Sequence, residues 1–152
     1  MFKKNNAMRI LIIILFFQSL SLNANAFNAK DHRIAVLVND QIITSYEVVQ
    51  RMKLSAILSG IDITPENNNQ LLNSVVDELI KENLQNQKIN EYDISVSEEE
   101  YLNQESFFYE NNPINKEDLI KIFEINDIKY SEFKKFLING ISWQKFISGM
   151  YY

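Results

Sequence analysis

Cysteine is absent from this 152-residue chain, and glycine, proline and histidine are scarce. Without cysteine no disulfide can brace the fold, so side-chain packing must hold it together. Three glycines and two prolines leave little material for turns, which predicts helices joined by short connections. The single histidine, His32, lies in a polar leader, so a triad of nucleophile, base and orienting group is not expected. The three glycines are far apart in the sequence, which excludes a glycine-rich phosphate loop.

The N-terminal segment has the three parts of a secretory signal peptide. Residues 1–9 carry three basic and no acidic side chains, and residues 10–22 are mostly apolar. Ala24-Asn25-Ala26 has the small-x-small form that signal peptidase cleaves, so we predict a signal peptide over residues 1–26, cleaved after Ala26. A membrane-spanning helix needs about 20 apolar residues, so a permanent anchor is the less favoured alternative. Residues 27–33 would form a flexible start to the mature chain.

Removal of the signal peptide makes the chain strongly acidic. Residues 27–152 hold twelve basic and twenty acidic side chains, a net charge of −8. Nucleic-acid binding depends on basic side chains that neutralise phosphates, and anionic membranes attract basic surfaces for the same reason. Neither nucleic acid nor an anionic membrane surface is therefore an expected partner, and cleavage of the signal peptide would leave no stable membrane anchor. The remaining length suffices for one domain with a modest core.

A predicted β-hairpin opens the mature domain. Residues 34–38 and 41–43 are apolar and rich in β-branched side chains, and they flank Asn39-Asp40, two residues that tolerate positive φ. Thr44, followed three residues later by Glu47, has the pattern of a capping box that begins a first helix. Gly60 is placed to end this helix.

Caps and apolar spacing predict the second and third helices. Thr64-Pro65 has the hydroxyl N-cap and first-turn proline of a helix start. The apolar residues that follow recur at helical spacing, namely Leu72, Val75, Val76, Leu79, Ile80 and Leu84. Ser97, with Glu100 as its capping-box partner, begins a third helix that continues to about residue 110, before Pro113.

Two further helices complete the predicted domain. Asn115 suits the N-cap of a fourth helix, and Asn126 can adopt the left-handed conformation that ends it. A fifth helix begins at about Ser131 and continues to near the C terminus. The predicted fold class is therefore mainly α, with about five helices behind a short N-terminal β-hairpin in one domain over residues 34–152.

Three consecutive glutamates at residues 98–100 are the strongest candidate for a metal site. Adjacent helix positions point about 100° apart, so these carboxylates cannot converge on one ion. Negative charge in a first helical turn is favourable by itself, which explains them. A glycosidase carboxylate pair would be unusual in a helical domain of this size. No metal, cofactor or catalytic residue is expected.

The last helix carries more apolar residues than one core-facing stripe requires. Phe133, Leu137 and Ile141 share one face, while other large apolar side chains lie on the adjoining face. Such a helix is either buried on several sides or presents a binding surface. On the third helix, residues 107–109 (Phe-Phe-Tyr) cannot all face inward. We predict that the binding surface contains Phe107, Phe108, Tyr109, Phe136, Trp143, Phe146 and Met150, with core packing as the alternative.

Four segments in this order, behind a signal peptide, carry a family resemblance: IAVLVNDQIITSYEV, VVDELIKENL, ISVSEEEY and IKYSEFKKFL. Over residues 34–150 the chain resembles the N-terminal chaperone domain of SurA-type periplasmic folding factors, a trigger-factor-C-like module. The resemblance implies an ATP-independent holdase in the periplasm. Its partners would be unfolded outer-membrane protein segments, bound by an apolar and aromatic surface.

Full-length relatives also carry parvulin-type prolyl isomerase domains and a last helix that completes the chaperone core. Neither is recognisable in this sequence, so isomerase activity is not expected. A second copy of the chain, or a partner chain, is expected to cover the part of the core left open. Two alternatives to the holdase remain, a peptidyl-prolyl isomerase inherited from the family and a non-catalytic adaptor that docks on one fixed partner.

Overall fold

A computed structural model describes residues 33–151 of the chain. The predicted signal peptide, its cleavage site after Ala26, and His32 lie outside the described residues. Within them, the predicted hairpin followed by five helices is confirmed. The elements are β1 (Ile34–Val38), β2 (Gln41–Thr44), α1 (Ser45–Ser59), α2 (Asn68–Glu91), α3 (Glu98–Asn111), α4 (Lys116–Ile125) and α5 (Tyr130–Tyr151).

The hairpin pairs β1 and β2 antiparallel around a two-residue turn, with Asn39 at positive φ as its chemistry allows. Because side chains alternate along a strand, the hairpin has two different faces. Val38 and Ile43 are buried on the inner face. On the outer face, the cross-strand partners Leu37 and Ile42 remain exposed.

Local capping signals fix both ends of α1. The Thr44 hydroxyl accepts a hydrogen bond from the Glu47 backbone N–H, and the Glu47 carboxylate accepts one from the Thr44 N–H at 2.7 Å. At the other end Gly60 adopts φ 64°, a left-handed conformation that glycine takes without strain because it has no Cβ. Both predictions for this helix are confirmed.

The start of α2 corrects the prediction that the helix begins at Thr64-Pro65. Thr64 and Asn67 exchange two backbone-to-side-chain hydrogen bonds, but residues 65–67 form a turn and the helix begins at Asn68. Asn67 also donates to the Asp62 carbonyl at 2.8 Å, and its side chain makes no capping hydrogen bond to the helix that follows. The polar contacts of Asn67 therefore hold a separate turn ahead of the helix.

At the ends of α3 and α4, three of the predicted start and stop residues are confirmed and one prediction is wrong. Ser97 and Glu100 form the expected capping box, α3 ends at Asn111 before Pro113, and the Asn115 side chain accepts from the Asp118 N–H at 2.9 Å. Asn126 does not take the left-handed conformation, because its side chain donates to the Ile122 carbonyl and completes the last helical turn. The following residue, Asp127, has φ 53° and reverses the chain instead.

Two hydrophobic clusters form the core, and α1 contributes to both. The smaller cluster packs the inner face of the hairpin against α1 and α2 through Val38, Ile43, Val48 and Val75. The larger cluster joins α1, α3, α4 and α5 through Leu54, Tyr101, Leu119, Phe123, Ile128, Phe133 and Leu137. The last helix, α5, packs against α1, α2 and α3, and these contacts fix the direction in which its exposed face points.

Candidate functional site

The core-facing side of α5 lies where the apolar spacing predicts. Phe133 is fully buried and Leu137 is buried beside it. The Phe133 ring lies 4.9 Å from that of Phe108 and 5.9 Å from that of Phe123, measured between centroids, with both pairs inclined in the manner that aromatic rings favour. These contacts fix the rotation of α5 about its own axis. The adjoining face of the helix is therefore held toward solvent.

Five large apolar side chains form that adjoining face, and we call them the α5 strip: Phe136, Trp143, Phe146, Ile147 and Met150. Their spacing places them within one side of the helix. Phe136 keeps 40% of its surface exposed and Met150 keeps 54%. Trp143 and Phe146 are half-buried. The folded domain thus exposes a continuous apolar band along α5.

Aromatic contacts organise the C-terminal half of the α5 strip. The Trp143 ring stacks on that of Phe146 at a centroid distance of 5.1 Å, and the rings of Tyr92 and Phe146 meet in a T-shaped arrangement at a centroid distance of 5.3 Å. Tyr92, which follows the end of α2, was not among the predicted site residues. A cleft of about 480 Å³ lies here between Tyr92, Ile94, Phe146 and Met150.

A groove of about 390 Å³ lies beside the N-terminal half of the strip, among residues of α2, α3 and α5. Its apolar lining includes Phe136, Ile141 and Trp143. Gly140 leaves space in its wall, because a Cβ added there would meet nothing within 4 Å beyond the neighbouring residues and backbone of its own helix. The groove and the cleft both adjoin the strip, so apolar surface continues from residue 136 to residue 150.

Residues 107–109 divide between surface and core. Phe107 is 58% exposed, whereas Phe108 and Tyr109 pack against the larger core cluster. The Tyr109 hydroxyl also lies 2.9 Å from that of Tyr130. No ring contact joins Phe107 to the α5 strip within residues 33–151. Phe107 therefore offers a separate apolar position, and a binding role for Phe108 and Tyr109 stays a prediction.

A partly buried ion pair supports the groove. Arg51 of α1 donates to both carboxylate oxygens of Glu82 on α2, at 2.6 and 3.0 Å, and Asn139 of α5 donates to the same carboxylate. The Arg51 guanidinium lies 5.5 Å from the centroid of the Phe136 ring, a cation–π arrangement. These contacts connect three helices and hold Phe136 in place. Sequence reasoning missed them because 31 residues separate Arg51 from Glu82.

The buried carboxylate of Glu105 joins α3 to the starts of α4 and α5. It accepts hydrogen bonds from Tyr101, from Tyr130 at 2.6 Å and from Lys116 at 2.8 Å. Burial alone would raise the pKa of Glu105, but the donors from Lys116 and the tyrosines outweigh it and lower the pKa below its usual value. Burial and the neighbouring Glu105 carboxylate raise the pKa of the Tyr130 hydroxyl. This network is a fully hydrogen-bonded structural clamp.

Two of the three glutamates at the start of α3 have structural partners, Glu98 with Lys134 and Glu100 with Lys145. Hydrogen bonds from the Lys145 ammonium and from the Ser97 backbone lower the pKa of Glu100 to about 2. Within residues 33–151, no cluster of histidine and carboxylate side chains is arranged to hold a metal ion. None of the helices in that range combines the length and hydropathy that a bilayer-spanning segment requires. The apolar surface on α5 is thus the strongest candidate site.

Comparison with known families gives one match. A family model described as SurA-like N-terminal domain matches residues 3–123, which is most of the chain. No curated protein and no solved structure matches. The matched range contains the hairpin and helices α1 to α3 with nearly all of α4.

Proposed function

The chain belongs to the SurA-like N-terminal domain family, a family of chaperone modules, and we propose that it is an ATP-independent periplasmic holdase. In this proposal it binds unfolded outer-membrane protein segments while they cross the periplasm. Export would follow from the signal peptide predicted over residues 1–26. No bond is made or broken, so the domain needs only a surface that unfolded chains can cover.

One observation carries this proposal, the exposure of the α5 strip on a helix whose core-facing side is already buried. Phe133 and Leu137 satisfy the packing of the helix, so Phe136, Trp143 and Met150 are not required to fill the interior. Apolar surface of this extent on a folded domain marks a binding site. Aromatic rings and methionine adapt to many apolar partners, which suits clients without a fixed structure.

Suppression of aggregation tests the proposal. An unfolded β-barrel protein is diluted from denaturant into buffer without ATP, and light scattering is followed with and without the protein. We expect wild type to slow the rise in scattering and Trp143→Ala to do so markedly less. Trp143 lines the groove and stacks on Phe146, so its loss removes surface from both halves of the strip.

Ile125→Ala is the matched control, because Ile125 is 83% exposed at the end of α4 and outside the strip. It should protect the client as well as wild type does. Equal protection by Trp143→Ala would place the binding surface elsewhere. Capture of a single stoichiometric partner, with no protection of general clients, would identify a fixed adaptor instead.

A further inference from the structure

Three glutamines surround the groove beside Phe136, one from each helix that lines it. Gln85 lies on α2, Gln104 on α3 and Gln144 on α5. Among residues 33–151 none of the three has a hydrogen-bond partner, whereas the Gln50 amide donates to the Asp127 carbonyl and accepts from the Lys129 N–H, and so holds the chain turn there. These three amides therefore make no hydrogen bonds that hold the fold together. They border the apolar side chains that form the floor of the groove.

The residues that line the groove carry no uncompensated charge. Glu82 is the one ionisable residue among its lining residues, and its carboxylate is held by Arg51 and Asn139. A charged occupant would find no free opposite charge in the groove and would lose hydration on entry. The lining thus selects an uncharged segment over the acidic or basic stretches of an unfolded chain.

We propose that this groove binds an extended, uncharged peptide segment by its main chain as well as by its side chains. The proposal rests on the proposed function and adds how the client is recognised. A glutamine amide both donates and accepts, so it matches peptide N–H and C=O groups whatever the sequence. In an extended chain alternate side chains point to opposite sides, so one set meets the apolar floor while the peptide groups reach the glutamines. The amides offset the cost of taking the main chain out of water.

Replacement of glutamine by methionine of similar shape separates this inference from plain hydrophobic binding. Gln104→Met or Gln144→Met enlarges the apolar surface but removes hydrogen-bonding groups. Main-chain recognition predicts that each substitution weakens binding about two- to tenfold, the range for one lost hydrogen bond. Plain hydrophobic binding predicts tighter binding. The two accounts therefore differ in the sign of the effect.

The measurement is fluorescence anisotropy of a labelled, uncharged peptide in which aromatic and serine residues alternate. Gln70→Met is the matched control, because Gln70 is exposed on α2, has no partner within the described range and lies outside the groove. It should leave the dissociation constant unchanged. A second probe, the same peptide with its alternate main-chain nitrogens methylated, should bind wild type more weakly. It should also lose less affinity than the parent peptide when Gln104 is replaced.

The outcomes distinguish the two proposals. If wild type binds the peptide and protects the client, but Gln104→Met and Gln144→Met bind as tightly as wild type or more tightly, main-chain recognition is wrong and the holdase stands. If wild type neither binds the peptide nor protects the client, both proposals are wrong. Circular dichroism should show unchanged helix content in the three glutamine variants, since none of the replaced side chains makes a hydrogen bond within the described residues.

Discussion

Phe133→Ala and Phe136→Ala separate the folding role of α5 from its proposed binding role. The two phenylalanines lie three positions apart on one helix and carry the same chemical change. Phe133 has no exposed surface, whereas Phe136 keeps 40% of its surface exposed. The burial of Phe133 therefore predicts a loss of stability when it is truncated, whereas the proposed function predicts a loss of client binding when Phe136 is truncated.

The magnitudes follow from burial and contacts. Phe133 packs against the rings of Phe108, Phe123 and Tyr130, and truncating such a residue costs about 3–5 kcal/mol of unfolding free energy. Phe136→Ala removes a partly buried ring and its cation–π contact with Arg51, which together should lower the unfolding free energy by about 1–2 kcal/mol. The whole free energy of unfolding of such a domain is only about 5–15 kcal/mol, so the difference in stability between the two variants is readily measured.

Urea unfolding followed by circular dichroism gives the stabilities, and the aggregation assay gives the activity. We expect Phe136→Ala to stay folded and to lose much of its protection of the client. Phe133→Ala should show a much lower unfolding midpoint. The reasoning would be refuted if Phe136→Ala were as unstable as Phe133→Ala, or if it remained folded and protected the client fully.

Three further expectations concern stability and association. The pKa of Glu105 is lowered in the folded state, so its contribution is complete above the usual value of 4.5 and is lost as pH falls through the lower folded pKa. Glu105→Gln should reduce stability at pH 7 by about 1–3 kcal/mol and flatten this part of the pH profile in urea titrations, and an unchanged profile would contradict the clamp. Gly60→Ala should cost about 1–2 kcal/mol in thermal unfolding through its left-handed backbone alone, because a Cβ there has open space, and an equal or higher melting temperature would contradict this. Light scattering at micromolar concentration should give a mass above that of one chain, because Leu37 and Ile42 are exposed on the outer face of the hairpin, where a second copy leaves the α5 strip free for clients, and a strictly monomeric mass would argue against partner coverage.

Local signals in the sequence were sufficient for most of the fold. Thr44 with Glu47, and Ser97 with Glu100, predict their helix starts because a capping box is made within four residues. The start of α2 was misplaced because Asn67 uses its side chain to hold a preceding turn. Asn126 was assigned the left-handed conformation that Asp127 adopts, since both residue types tolerate it.

The candidate site was harder to predict because it depends on how helices rotate against one another. Phe107 and Phe108 are neighbours in sequence, yet one is exposed and the other packs on Phe133. Apolar spacing predicts two apolar faces on α5. In the structure the face with Phe133 and Leu137 is buried, and the face with Phe136 and Met150 is exposed. The ion pair between Arg51 and Glu82 carries no local signal, because it forms only when α1 and α2 pack together.

Trp143 is the only tryptophan in the sequence and lies on the α5 strip, so its fluorescence reports directly on the proposed binding surface. The most direct test is a titration of the protein with an unfolded, tryptophan-free outer-membrane protein segment, recording emission at each step. Binding on the strip should shift the Trp143 emission to shorter wavelength and saturate with the concentration that protects the client from aggregation. Full protection with an unchanged Trp143 spectrum would contradict the account.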